Sequence, residues 1–104
     1  MTRQDPRHER DVPARRPDVE WVELDGEAVL YDPTVSMLHR LNRGAAAVWA
    51  ACDGIVSSDE ITRAIAGAHA GSSQEIARDV SAAINRLRRL GLLLPAAGEV
   101  DADC

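Results

Sequence analysis

The chain has 104 residues, 45% of them hydrophobic, and a formal net charge of −5 at pH 7. A chain of this length forms one domain around a small core, which excludes a separate catalytic domain. The negative charge argues against a nucleic-acid partner, because binding a phosphate backbone requires several cationic side chains. With only two Trp, one Tyr and no Phe, the core must consist mainly of Ala, Leu, Ile and Val.

The two ends of the chain differ in composition from its middle. Residues 1–18 hold five Arg and four acidic residues with almost no large apolar side chains, which predicts a disordered N-terminal arm. Residues 95–104 hold three acidic residues and no basic one, which predicts an acidic disordered tail. The predicted folded domain is residues 19–94. No apolar signal segment or membrane-length apolar run occurs, so we expect a cytoplasmic protein with no membrane partner.

Three short strands are predicted after the arm. Residues 19–24 and 27–31 are rich in Val, Leu and aromatic side chains, and the Asp-Gly pair between them is a strong signal for a two-residue hairpin. A second turn follows at Asp32-Pro33-Thr34, and residues 35–41 then form the third strand. The expected sheet is an antiparallel meander with an exposed edge, unless another element covers that edge.

Three helices are predicted after the strands. The first begins after Asn42, whose side chain can accept a hydrogen bond from the first turn, and it buries Trp49 on its apolar face. The second and third begin with capping boxes, formed by a Ser and a Glu three residues later. The chain is therefore expected to form an α+β, winged-helix-like domain in which a three-stranded antiparallel sheet precedes three helices. The capping pairs are Ser57 with Glu60 and Ser72 with Glu75, and the helices are expected to end at Gly54, Gly71 and Gly91.

The sequence offers little material for catalysis or metal binding. His8, His39 and His69 have no carboxylate or thiol at ligand spacing, so no metal site is predicted. Cys52 shares a helical face with apolar residues and is expected to be buried, while Cys104 has no base beside it. No phosphate-binding glycine loop or nucleophile motif occurs. We therefore expect a protein that is not an enzyme and uses no cofactor.

Several short motifs occur in order along the folded part: Leu41-Asn42, Trp49, Asp53-Gly54, Asp79-Val80 and Leu90-Gly91-Leu92. In this order they resemble the PqqD-like family of small peptide chaperones from pyrroloquinoline quinone biosynthesis and related pathways. The resemblance implies a domain that binds the leader segment of a ribosomally synthesised precursor peptide and presents it to a separate modifying enzyme. An exposed strand edge suits that role, because its unpaired N–H and C=O groups can pair with an extended peptide.

The resemblance also implies where the peptide binds. In the family the leader adds as a strand beside the third strand, here residues 35–41, and packs against the third helix. The sequence leaves open which face of that strand meets the peptide. On the third helix, residues beside the predicted apolar stripe should flank a groove. The predicted peptide-binding residues are Val35, Met37, Leu38, His39, Arg40, Arg78, Asp79, Ala82, Ala83 and Arg86.

Two alternative functions stay open. A winged-helix DNA-binding regulator would use the arginines of the third helix, but residues 19–94 hold seven Arg against ten acidic residues, and the strands come first. A leader-binding partner of a lasso-peptide protease would share the fold. The usual sequence pattern of such lasso-peptide partners favours an aromatic residue near the end of the third strand, where this chain has His39-Arg40. We therefore rank it below a partner of a modifying enzyme such as a radical S-adenosylmethionine enzyme.

Overall fold

The structure, a computed structural model, describes residues 11–68 and 72–95. One antiparallel sheet has the order β1-β2-β3, with β1 at Glu20–Leu24, β2 at Glu27–Asp32 and β3 at Met37–Leu41. Helices α1 (Arg43–Ala51), α2 (Ser58–Ala68) and α3 (Ser73–Arg89) follow. The predicted α+β class and the order of strands and helices are confirmed. Most of the predicted arm and tail, residues 1–10 and 96–104, lies outside the described residues.

A two-residue turn joins β1 to β2, as the sequence predicts. Asp25 and Gly26 have φ angles of 55° and 83°, and a type I′ turn requires positive values at both positions. Gly26 is also limited by space, since a Cβ there would lie 3.2 Å from Arg43 Cγ. The Asp-Gly pair therefore serves both the turn and the contact between this hairpin and α1.

The turn between β2 and β3 is longer than the sequence predicts. Asp32 pairs with Met37, and the connection between them occupies residues 33–36. Ser36 has a left-handed φ of 56°, a conformation that cannot continue an extended strand. The prediction that the third strand begins at Val35 is therefore wrong, and Val35 is an exposed turn residue.

Helix α1 begins where the sequence predicts and ends earlier. Asn42 Oδ1 accepts a hydrogen bond from Ala45 N at 2.9 Å, which satisfies an amide of the first turn. The last helical residue is Ala51, whereas Gly54 was expected to end the helix. Asp53 explains the difference, because its Oδ1 accepts hydrogen bonds from two following backbone amides and forms a turn there.

The other two helices also begin as predicted. Ser57 N donates to Glu60 Oε1 at 2.8 Å, and Glu60 N donates to Ser57 Oγ at 3.1 Å, which completes a capping box at α2. Ser72 Oγ accepts from Glu75 N at 3.1 Å at the start of α3. The expected end of α2 at Gly71 lies outside the described residues. Helix α3 ends before Gly91, which has a φ of 75°.

The core lies between the inner face of the sheet and the helices. Trp49 is fully buried and contacts Trp21 edge-on, with ring centroids 6.0 Å apart. Cys52 is buried as predicted, and its Sγ–H donates to Val48 O at 3.1 Å. Burial raises the pKa of this thiol to about 12. Among the described helices, none is both long and apolar enough to cross a membrane. Further fully buried side chains include Leu30, Leu41, Ile61, Leu87 and Leu92.

Residues 11–18 pack against the domain, and we call them the strap. Arg15 N donates to Cys52 O at 3.0 Å, and Leu94 N donates to Ala14 O at 2.8 Å. The strap therefore runs between the end of α1 and the segment after α3. The prediction of a disordered arm is wrong for these residues, because composition does not reveal backbone partners that become available only when two distant helix ends meet.

Ion pairs also hold the strap in place. Arg16 donates through Nη1 and Nη2 to the two carboxylate oxygens of Asp32, each at 3.0 Å, and through Nη2 to Asp18 at 2.6 Å. Hydrogen bonds from this guanidinium lower the pKa of both carboxyl groups. Arg88 of α3 donates to Asp11 at 2.6 Å. The strap is thus tied by charge to both the sheet and the last helix.

Candidate functional site

Strand β3 forms a free edge within the described part of the chain. It pairs with β2 on one side, and no described segment pairs with its other side. The type I′ turn closes with a hydrogen bond between Leu24 and Glu27, so β2 residues 27, 29 and 31 direct their backbone groups towards β1. Residues 28, 30 and 32 therefore direct theirs towards β3.

The same alternation fixes the orientation of each backbone group in β3. The partners of residues 28, 30 and 32 are Leu41, His39 and Met37, whose N–H and C=O groups point to β2. Leu38 and Arg40 must then direct their N–H and C=O groups away from the sheet. The free edge therefore offers two residues with unpaired backbone donors and acceptors.

The register also answers which side chains of β3 share a face. Ala28 and Leu30 of β2 are fully buried, and their partners Leu41 and His39 lie on the same inner face, with Met37 two residues before His39. Leu38 and Arg40 lie on the outer face, and Leu38 is 67% exposed. The two residues whose backbone groups face the free edge, Leu38 and Arg40, thus carry their side chains on the outer face, whereas Met37 and His39 carry theirs on the inner face.

A cleft of about 760 Å³ lies between the first half of α1 and the middle of α3. Leu41, the last residue of β3, contributes to its lining, so the cleft begins where the free edge ends. Its wall is apolar at Val48 of α1 and at Val80 of α3. The other lining residues are Glu27, Asn42, Arg43, Gly44, Ala45, Ile65, Ile76, Asp79, Ala82, Ala83, Arg86 and Leu87.

The structure divides the predicted site residues into three sets. Those of α3 that line the cleft are Asp79, Ala82, Ala83 and Arg86. Those along the adjoining edge strand are Met37, Leu38, His39 and Arg40. Arg78 and Val35 belong to neither set, since Arg78 is exposed outside the cleft lining and Val35 lies in the preceding turn.

Helix α1 supplies a wall of the cleft that sequence reasoning missed. Its first turn contributes Arg43, Gly44 and Ala45 to the lining. A Cβ at Gly44 would meet only Asn42 Oδ1, at 3.7 Å, so the absence of a side chain leaves open space there. The signal was present in the sequence, because the Asn42 cap places this turn directly after β3 and two of its residues, Gly44 and Ala45, are small.

Four charged residues line the cleft. Arg43 and Arg86 are cationic, and Glu27 and Asp79 are anionic. Among the described residues, Arg43, Asp79 and Arg86 take part in no ion pair. Glu27 does form one, since its Oε1 lies 3.5 Å from Arg40 Nη2. The cleft therefore combines apolar walls with unpaired charges of both signs, an arrangement that suits an amphipathic ligand.

Metal-ligating side chains do not gather in the described part of the chain. No group of three or more His, Cys, Asp or Glu residues there could hold an ion. His39 is half-buried on the edge strand, while His8, His69 and Cys104 lie outside the described residues.

A comparison with known families identifies the domain. The family model for coenzyme PQQ synthesis protein D (PqqD) matches residues 27–93, more than half of the chain. This chain belongs to the PqqD family. The match begins at β2 and ends just after α3, so β1 and the strap of this PqqD-family protein lie outside it. No curated protein matches the sequence.

Two solved structures share the fold of this PqqD-family protein. One is TbiB1 in complex with the TbiA(beta) leader peptide, with a TM-score of 0.73 and 20% identity over 81% of this chain and 98% of that chain. The other is lasso peptide synthetase B1 complexed with the leader peptide, with a TM-score of 0.71 and 21% identity over 81% of this chain and 99% of that chain. At these identities the likeness is one of fold.

Proposed function

We propose that this protein binds the leader segment of a ribosomally synthesised precursor peptide and presents the peptide to a separate modifying enzyme. One observation carries the proposal: a strand edge with unpaired backbone groups at Leu38 and Arg40 leads directly into an apolar cleft. An extended peptide gains affinity from main-chain pairing and selectivity from side-chain pockets. Membership of the PqqD family and the two similar structures, both described with a leader peptide, support this choice.

In this proposal the peptide forms a fourth strand beside β3. Its backbone pairs with Leu38 and Arg40, and its apolar side chains enter the cleft beside Ala82 and Ala83. Arg86 favours an acidic leader residue. The remaining proposed contacts are Met37 and His39 on the inner face of β3, Asp79 in the cleft, and Val35 and Arg78 at its margins.

The protein itself performs no reaction in this proposal. It acts by raising the local concentration of the precursor peptide at the enzyme, in the cytoplasm and without a cofactor. The enzyme is a radical S-adenosylmethionine enzyme or a lasso-peptide protease. The second class is favoured by one specific observation, since one of the similar structures is a lasso peptide synthetase B1.

Calorimetry with synthetic leader peptides tests the proposal. The peptides are taken from short open reading frames beside the gene, and a scrambled leader and a DNA duplex serve as controls. We expect one leader to bind with a dissociation constant of about 1 μM or tighter, a free energy of about −8 kcal/mol. Duplex binding without a response to any leader would overturn the proposal in favour of a winged-helix DNA-binding regulator.

A further inference from the structure

The outer face of the sheet is unusually apolar. Strand alternation places five apolar side chains on it, and Val22, Leu24 and Leu38 are 55%, 61% and 67% exposed. A solvated face of an antiparallel sheet normally carries polar residues. We call this surface the outer sheet face, formed by Val22, Leu24, Val29, Tyr31 and Leu38.

These side chains form one continuous surface. Val22 lies opposite Val29 in the register, and Tyr31 lies opposite Leu38. Directly opposed residues in a sheet have Cβ atoms about 5 Å apart, so the pairs are in contact across the strands. The buried Ala28 and Leu30 mark the other face as the one that meets the core. An apolar surface of this kind indicates an interaction site.

Carboxylates surround the outer sheet face. Residues 18–32 contain six acidic residues and no basic one. Asp18 and Asp32 form ion pairs with Arg16, which leaves four acidic residues in this segment outside that network. The only basic side chain on the outer sheet face is Arg40, 3.5 Å from Glu27. Of these four, Glu20 and Glu27 lie on the outer sheet face and Asp25 lies in the turn at its end, whereas Glu23 lies opposite the buried Ala28 and belongs to the inner face.

This charge distribution selects the kind of occupant. A second copy of the chain would bring two acidic rims together, and opposed like charges are unfavourable in an interface. A nucleic acid would be repelled for the same reason. A protein surface with an apolar centre and a rim of Lys and Arg side chains matches both the apolar patch and the carboxylates.

We infer that the outer sheet face docks the modifying enzyme, at an apolar patch of that enzyme rimmed by basic residues. The inference rests on the proposed function, because the enzyme is the partner to which the peptide is presented. Docking centred on β1 and β2 leaves the free edge of β3 available, because Leu38 and Arg40 direct their unpaired backbone groups sideways from the sheet and not towards its outer face. One small domain can then hold the peptide and the enzyme at the same time.

A double variant tests this inference. Val22→Ser with Leu24→Ser removes two exposed apolar side chains at the β1 side of the face, far from the edge of β3. Ile55→Ser is the matched control, because Ile55 is 79% exposed in the segment between α1 and α2. The probe is the purified modifying enzyme encoded beside the gene, with affinity measured by biolayer interferometry and leader binding measured on the same samples.

We expect the double variant to bind the enzyme at least about tenfold more weakly and to bind the leader within about twofold of wild type. Ile55→Ser should match wild type in both assays. Glu20→Lys should weaken enzyme binding and reduce its dependence on salt.

Four results would overturn the inference. The first is wild-type affinity of the double variant for the enzyme, and the second is no binding of the enzyme by the wild-type protein. The third is a loss of leader affinity in the double variant, which would place the outer sheet face in the peptide site. The fourth is a wild-type dimer in sedimentation that the double variant abolishes. Failure of the proposed function is distinct, since wild type itself would then bind no leader.

Discussion

Arg15 of the strap lies over the ring of Trp49, with its guanidinium carbon 5.9 Å from the ring centroid, and its Nη1 donates to Trp49 O at 3.2 Å. The same nitrogen donates to Ala50 O at 2.8 Å. These carbonyls belong to the last turn of α1, which contains no basic residue of its own. The strap thus supplies the cation that the negative end of a helix favours.

We expect Arg15→Met to destabilise the domain by about 1–2 kcal/mol, because it removes a charged donor from two carbonyls and keeps most of the aliphatic chain. Urea denaturation followed by circular dichroism measures the change. Arg63→Met, at an exposed position of α2, is the control and should have little effect. If Arg15→Met and Arg63→Met are equally stable, the contact of the Arg15 side chain with α1 contributes nothing to the free energy of unfolding.

Trp49 should be structural. We expect Trp49→Ala to cost roughly 3–5 kcal/mol and to unfold a domain of this size, whereas Trp49→Phe retains a ring in the core and costs less. Near-ultraviolet circular dichroism and the fluorescence of Trp21 report the outcome. A stable Trp49→Ala variant that had lost only leader binding would instead place Trp49 in the peptide site.

The edge of β3 is best tested at Leu38. Leu38→Pro removes an N–H that points away from the sheet, so the fold should persist while leader affinity falls at least about tenfold. Leu38→Ala keeps this N–H and should bind considerably better than the proline variant. His39→Pro removes a donor to β2 and should destabilise the sheet. Leader binding by Leu38→Pro at wild-type affinity would rule out strand addition.

Much of the fold could be predicted because its signals are local. The Asp25-Gly26 turn and the caps at Asn42 and Ser57 depend on residues a few positions apart, and all three are present. The strap could not be predicted, since Arg16 finds its partners at Asp32 and Gly91 only after the chain has folded.

In the candidate site, too, the features with local sequence signals could be predicted and those that depend on distant residues could not. The periodicity of α3 predicted four groove residues, Arg78, Asp79, Ala82 and Arg86; the last three line the cleft, and Arg78 lies outside its lining. The face and edge of β3 depend on register, which the length of the preceding turn decides. Ser36, with its left-handed backbone, sets that length, and no periodic pattern in the sequence reveals it.

The Arg16 network predicts a pH dependence. Its hydrogen bonds lower the pKa of the Asp32 carboxyl group below the ordinary value of 3.8. A carboxyl group with a depressed folded pKa stabilises the fold above its unfolded pKa, and this contribution is lost as the pH falls through the folded value. We therefore expect unfolding free energy to decline below about pH 4, and Asp32→Asn to be less stable at neutral pH with a flatter profile. Glu23→Gln, at an exposed position, should retain the wild-type profile.

Charge in the cleft should contribute to selectivity. Arg86→Glu reverses a charge that lines the cleft, so we expect it to weaken the binding of a leader with acidic residues, most strongly at low salt. Arg89→Glu makes the same change at an exposed position outside the cleft lining on the same helix and is the matched control. Equal losses of leader affinity in the two variants would indicate a long-range electrostatic effect and no specific contact between Arg86 and the leader.

The strap also constrains the order in which the chain can fold. Asp11 meets Arg88, 77 residues later, and Arg16 meets Gly91, 75 residues later. During synthesis the hairpin of β1 and β2 can form early from neighbouring residues, whereas closure of the strap must wait until the last helix has emerged from the ribosome. A nascent chain therefore exposes the end of α1 until α3 has emerged, so the strap closes only after all three helices have been synthesised.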